Sequence, residues 1–240
     1  MNRIAVTAST PMELSLLLDA TGALPCAELG HLQAYRGALA GREIVLVVTG
    51  VGKVNAALAT TLLLERLRPE LLINTGCGGA FAGSGLSVGE LAVAASENFA
   101  DEGVQTPAGW RGLELIGIPV CQGQGEPVFN RIELSPELAD EALATLAGHG
   151  FKGGLGPFLT VSTCSGTARR GEELLRRFPG GICENMEGAA VAQVALIYGV
   201  PLLEVRGVSN LVEDRDLSRW DLRRAVCEAQ KFLLVHMKII

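Results

Sequence analysis

No stretch of this chain approaches the ~20 consecutive apolar residues that a membrane span needs, so no membrane segment is expected. Histidine is scarce, and none of the three lies at metal-ligand spacing from a cysteine. The six cysteines, Cys26, Cys77, Cys121, Cys164, Cys183 and Cys227, are scattered and form no Cys-x-x-Cys pair. No metal site is therefore expected, and the thiols read as reduced, small apolar packers. Basic residues form no long run either, and the formal net charge is −6. The pairs Arg169–Arg170 and Arg176–Arg177 read as the solvated face of a helix, so nucleic acid is not expected as a partner. The opening residues reach Glu13 and Asp19 before any long apolar run develops, which is unlike a secretory signal, and a cytoplasmic location is expected.

What is present is a foldable chain. Apolar residues make up 48% and charged residues 19% of it, which argues against disorder. Its 240 residues fit one compact α/β domain spanning 1–240, with a sizeable core. Strand patterns occur at Ile4–Thr7, Leu32–Leu39, Ile44–Thr49, Leu71–Asn74, Glu90–Ala95, Leu113–Pro119, Leu155–Val161 and Pro201–Val208. Helical patterns occupy Lys53–Leu67, Pro136–Leu146, Thr167–Arg177, Glu187–Tyr198 and Ser218–Val235. A further helix start lies at Thr10-Pro11-Met12-Glu13, where Thr10 is a candidate N-cap and Glu13 completes a capping box. Loops are expected over 101–112, 122–130 and 148–156. Such alternation predicts a central, largely parallel sheet flanked by helices, with ligand contacts beyond the strand ends.

Several short motifs carry chemistry. Gly50-Val51-Gly52-Lys53 hints at a phosphate loop, but a Walker A sequence needs glycine at position 47 and Ser or Thr after the lysine; Val47 and Val54 stand there. Gly76-Cys77-Gly78-Gly79-Ala80-Phe81 follows a strand yet has Phe81 where a dinucleotide fingerprint needs its third glycine. These glycines either let backbone amides approach a ligand or simply make tight turns. Within Glu184-Asn185-Met186-Glu187-Gly188, an acidic residue stands where strand gives way to helix. Its carboxylate either complements the helix dipole or accepts hydrogen bonds from two vicinal hydroxyls such as ribose offers. Ser209-Asn210, directly after an apolar strand, is either a turn or a polar pair facing a cleft.

Taken in order, Ile4–Glu13, Gly50–Leu64, Ile73–Ala80, Glu184–Ala192 and Pro201–Asn210 resemble the nucleosidase branch of the purine nucleoside phosphorylase-like family over nearly the whole chain. Met186-Glu187 is the most specific mark of that branch. The resemblance implies a three-layer α/β/α fold with a central mixed, mostly parallel twisted sheet, no cofactor, a small-molecule nucleoside as the partner, and a homodimer or larger homo-oligomer. It assigns Glu13 to water activation, Glu187 to the 2′- and 3′-hydroxyls and Met186 to the sugar, with backbone around Gly76, Cys77, Gly78 and Gly79 beside sugar and base. Such carboxylates suit an oxocarbenium-like ribose, with a base to place and deprotonate water. A phosphate nucleophile would need cationic or hydroxyl groups, and the segment after the first strand offers Glu13 and no basic residue.

Within the branch, Ser209-Asn210-Leu211-Val212-Glu213-Asp214-Arg215-Asp216 with Trp220 resembles the futalosine hydrolases, which release hypoxanthine from futalosine on an alternative menaquinone route. Methylthioadenosine/adenosylhomocysteine nucleosidase is the enzymatic alternative, and a non-catalytic nucleoside-binding protein is the other. Two departures bear on the choice. Nucleosidases acting on adenine compounds carry Asp where this chain has Asn210, and their base-stacking stretch is more aromatic than Ser162-Thr163-Cys164-Ser165-Gly166. Phe158 or a loop aromatic is the expected substitute in stacking.

Overall fold

Five successive residues of the first strand, β1 (Arg3–Ala8), are buried, so both of its faces are covered. Ile4, Val6 and Ala8 belong to one apolar cluster, while Ala5 belongs to another on the opposite face. The computed structural model describes residues 3–123 and 125–240; Met1, Asn2 and Gln124, the last inside the loop expected over 122–130, lie outside them. After a 3-10 turn at Pro11–Leu14 come α1 (Ser15–Thr21), β2 (Leu24–Pro25), β3 (Gln33–Leu39), β4 (Arg42–Val48), α2 (Lys53–Leu67), β5 (Leu71–Ala80) and β6 (Leu91–Phe99). There follow β7 (Val104–Thr106), β8 (Gly109–Arg111), β9 (Cys121–Gly123), β10 (Glu126–Val128), β11 (Arg131–Glu133), α3 (Pro136–Gly148) and β12 (Gly153–Thr160). The chain closes with α4 (Ala168–Arg177), β13 (Cys183–Asn185), α5 (Gly188–Tyr198), β14 (Leu202–Leu211) and α6 (Leu222–Ile239).

The central sheet is mixed. Strand β1 lies parallel to both β4 and β5, and β3 and β2 extend that side antiparallel. On its other side β5 pairs in parallel with β14, which turns antiparallel onto β6. Strand β6 then runs parallel to β12, β12 parallel to β13, and β13 returns antiparallel to β5. Five strands thus close a ring. Helices cover both faces: Leu17 of α1, Ala142 of α3 and Phe232 of α6 fill one core, while Leu63 of α2 and Val191 of α5 fill the other. This is the α/β architecture expected above.

Local chemistry explains most boundaries. Ser135 accepts from Leu138 N–H to start α3, and Thr167 accepts from Arg170 N–H to start α4. Ala40 and Gly41, both left-handed, turn β3 into β4. Several expectations fail, and the segments expected as loops over 101–112 and 122–130 hold the short antiparallel pairs β7–β8 and β9–β10. Leu113–Pro119 is not a strand: it holds a 3-10 turn at Leu113–Leu115, and Leu115, Ile116 and Ile118 are exposed with no sheet partner. The glycines at 76–79 are not a turn beyond a strand; they are the second half of β5, where pairing with β14 and β13 holds them extended.

Candidate active site

Glu13 sits in the 3-10 turn after β1 and is 4% exposed. Its Oε2 accepts from the Thr10 N–H at 2.8 Å and the Thr10 hydroxyl at 2.9 Å. The capping box read from sequence is therefore formed, but it engages one oxygen. Oε1 points the other way and accepts from the Cys77 N–H of β5 at 3.1 Å. A carboxylate offers about four acceptor positions, so one remains for a further donor.

The glycine run of β5 is what lets this carboxylate approach. Gly76 has φ +146°, and a Cβ there would lie 2.6 Å from Glu13 Oε1 and 2.9 Å from Arg206 Nη1. At Gly78 a Cβ would lie 2.5 Å from Cys183 Sγ and 2.9 Å from the Glu184 carbonyl. Between them, the Cys77 thiol is pushed up to about 12 by burial and by the neighbouring Glu13 charge, so it is no nucleophile near neutrality.

Glu187 is the N-cap residue of α5 and is 5% exposed. Its position is fixed from the backbone side by Asn185, whose Oδ1 accepts from the N–H groups of Glu187 at 3.0 Å and Gly188 at 2.7 Å. Its own Oε1 accepts from Gly52 N–H at 2.9 Å, so the phosphate-loop-like segment serves a carboxylate. Lys53, the residue that would hold phosphate in such a loop, instead pairs with Asp101 at 2.7 Å and Glu102 at 2.9 Å. Glu187 Oε2 accepts from Arg206 Nη1 at 3.3 Å, and that same nitrogen lies 3.4 Å from the Cys77 carbonyl. Arg206 is 1% exposed. Burial opposes its charge, but Glu204, Glu187 and Glu13 outweigh that and hold its pKa above the ordinary arginine value. Each Glu187 oxygen keeps an acceptor position free, which is what two vicinal hydroxyls require.

The remaining expected residues lie on neighbouring segments. Met186 is half-buried, with its thioether 3.2 Å from Cys164 Sγ. The 162–166 stretch is tied down at both ends. Asp101 accepts from Ser162 N–H at 2.5 Å, and Glu184 accepts from Ser165 N–H at 2.9 Å and its hydroxyl at 2.5 Å. Burial works against the Asp101 charge, yet Lys53 and the Ser162 amide bring its carboxyl below the usual range, while burial raises Glu184. Phe158 takes no part: it packs in the core with Leu86 and Ile182, so the stacking role suggested for it fails. Strand β14 carries an irregularity between Val208 and Asn210 that leaves Ser209 out of register. The Ser209 hydroxyl lies 3.2 Å from the Gly78 carbonyl and 2.7 Å from Asn210 Oδ1. Asn210 Nδ2 donates to the Leu211 carbonyl at 3.0 Å, which fixes the amide orientation and leaves one N–H unused.

The structure thus gathers Glu13, Gly76, Cys77 and Glu187 around Arg206, and Gly78, Ser209 and Asn210 along the adjoining pair β5–β14. Reasoning from sequence missed Gly52, Arg206, Glu204, Glu97 and Asn185. Glu204 and Arg206 were visible as an acid–base pair two residues apart inside an apolar strand, where a strand's period of two sets both on one face. Among the described residues no group of three or more His, Cys, Asp or Glu side chains is placed to hold a metal ion, and no helix is long and apolar enough to cross a membrane.

Comparison with known proteins places this geometry in a family. Residues 3–236 match the model of the phosphorylase superfamily. The 5′-methylthioadenosine/S-adenosylhomocysteine nucleosidase of Desulfotalea psychrophila is 30% identical over 88% of this chain and 86% of its own. Among solved structures, the nucleosidase of that name from Neisseria meningitidis, in complex with methylthio-immucillin-A, superposes with a TM-score of 0.86 at 24% identity and covers 100% of both chains. Native futalosine hydrolase of Helicobacter pylori superposes with a TM-score of 0.83 at 21% identity, covering 100% of this chain and 98% of that one. At those identities the two structures speak for the fold, and the curated relative speaks for descent. The chain belongs to the phosphorylase superfamily, in its nucleosidase branch.

Proposed function

We propose that this protein hydrolyses the N-glycosidic bond of a purine nucleoside with a 6-oxo base, futalosine being the leading candidate and hypoxanthine the base released. Glu13, with one acceptor position free, receives a proton from the attacking water. Glu187 holds the 2′- and 3′-hydroxyls, Met186 lies against the sugar, and the two carboxylates stabilise positive charge as the ribose becomes oxocarbenium-like. Backbone of Gly76, Cys77 and Gly78 lines the sugar and base, and Ser209 orients Asn210.

The observation that carries the choice of base is the unused N–H of Asn210. A 6-oxopurine presents two acceptors, O6 and N7, to a donor at this edge, whereas adenine presents its amino donor beside N7. A second reading, methylthioadenosine/adenosylhomocysteine nucleosidase, is favoured by the name of the curated relative. Measuring kcat/KM for futalosine and its 6-amino analogue decides between them. The wild type is expected to prefer the 6-oxo compound, and Asn210→Asp to narrow or invert that preference by about 5- to 150-fold, the cost of an unpaired buried polar group. A wild type that favours the 6-amino compound, or a ratio that Asn210→Asp leaves unmoved, removes Asn210 from base recognition and leaves the second reading standing.

A further inference from the structure

Behind Glu187 the structure buries more carboxylates than cations. Arg206 Nε donates to Glu204 Oε1 at 2.9 Å, with Nη2 at the same distance, while Nη1 serves Glu187. Glu204 Oε2 is fully buried and has no hydrogen-bond donor among the described residues. The group it faces is Glu97 of β6, itself 0% exposed: Glu97 Oε1 and Glu204 Oε2 crowd the same point above Gly188, where even a methyl group would collide with both. Glu97 Oε1 also accepts from Asn185 Nδ2 at 2.7 Å, and Oε2 accepts from the Thr160 hydroxyl at 2.7 Å. Two facing buried carboxylates in contact cannot both be charged at modest cost, and an acceptor turned toward an acceptor is satisfied by a proton between them.

We propose that Glu97 is a positioning residue for the reaction: it stays a neutral carboxylic acid, donates its proton to Glu204 Oε2, and thereby locks both supports of Glu187. One support runs from Glu97 through Asn185 to the Glu187 and Gly188 amides, the other from Glu204 through Arg206 to the Glu187 carboxylate. The proton belongs to Glu97 because the guanidinium sits on Glu204 and keeps that partner charged. Burial, reinforced by the Glu204 charge, pushes the Glu97 carboxyl well above its usual range. Burial raises Glu204 as well, with Arg206 pulling it back. The groups facing the pair are Thr160 from β12, Asn185 and Cys183 from β13, Glu187 at the start of α5, and Arg206 on β14. The Cys183 thiol is raised by burial and stays neutral. When Glu97 ionises at high pH, it opposes Glu204 with a second charge and both supports of Glu187 loosen.

This inference rests on the role given to Glu187 above, and its test keeps the two apart. Infrared spectra of the wild type at neutral pH are expected to show a protonated-carboxyl C=O band that shifts in D2O and vanishes in Glu97→Gln. The same band in both proteins, or none in the wild type, overturns the shared proton whatever the turnover. The pH profile of kcat supplies the functional half. The wild type is expected to lose activity on the alkaline side, while Glu97→Gln, whose amide donates to Glu204 but gives up the bond from Asn185, turns over more slowly near neutrality and lacks that limb. An unchanged alkaline limb in the variant overturns the positioning role. A wild type that releases no base from any purine nucleoside overturns the hydrolase reading and the positioning role with it, and the band still decides the proton.

Discussion

The cap that Glu13 forms and the catalytic task proposed for it are separable by measurement. Sequence alone suggests that Gln would cap the turn as well as Glu, but both oxygens accept from donors, Thr10 on one side and Cys77 on the other. A glutamine must turn its NH2 toward one of those N–H groups. Glu13→Gln is therefore expected to lower stability by about 1–3 kcal/mol in denaturant unfolding and, as the base, to lower kcat by about 10²- to 10⁴-fold. A stability loss with wild-type kcat would leave Glu13 as a cap and nothing more. At this scale Glu187 and Asn210 stood out as polar residues near a strand end, whereas Glu13 read locally only as a capping residue and its proposed role came from the family resemblance. Glu97 was harder to read because its meaning lies in Glu204 on another strand, and Arg206 because its link to Glu187 joins a strand to a distant helix start; such pairings are not written in local pattern.

The elements were mostly legible, since caps and apolar periods are local. Lys53–Leu67 is read at both ends, with Pro69 just beyond the helix and Gly52 at its N-cap. Strand β5 was half read, because a strand rich in glycine has no side-chain pattern to betray it. Its glycines answer to neighbours instead of to propensity. Gly76→Ala is the expected demonstration: its Cβ would strike the Glu13 carboxylate and the Arg206 guanidinium at once, in a backbone conformation that disfavours side chains. The variant is expected to lose at least about 10²-fold in kcat, with displaced reacting groups as the cause, and to unfold at lower denaturant concentration. Steady-state kinetics beside a urea titration checks both. Retained activity would mean that Glu13 can retreat without cost and that its contact with β5 is incidental.

Stability of the whole molecule should depend on pH through a group far from the site. His236 of α6 is 0% exposed, stacks on Phe232 at 5.4 Å and lies 2.9 Å from Thr145 Oγ1. Because the Thr145 hydroxyl donates to the Glu141 carbonyl, it accepts from His236 Nδ1–H, and Nε2 is left without a partner among the described residues. Burial lowers the His236 pKa from 6.5 to about 4. A depressed value in the folded state means stability that is complete above pH 6.5 and is lost as pH falls through about 4. The loss from this one group is about 3 kcal/mol at most. Urea unfolding at pH 7.5 and pH 4 is expected to show it in the wild type and to show it reduced in His236→Phe, which keeps the stacking surface. Equal losses in both proteins would assign the acid sensitivity elsewhere.

The closed ring of strands was beyond sequence reading, since it depends on which distant segments meet. Its consequence is temporal. Cys183 pairs with Ala80, and Arg206 with Gly76, so the carboxylates, the guanidinium and the glycine run meet when the last stave of the hoop is seated. Contacts so distant in sequence form late and slowly. Glu13 has no guanidinium beside it until β14 has paired with β5. The site is thus expected to assemble only once β14 has joined β5, late in folding.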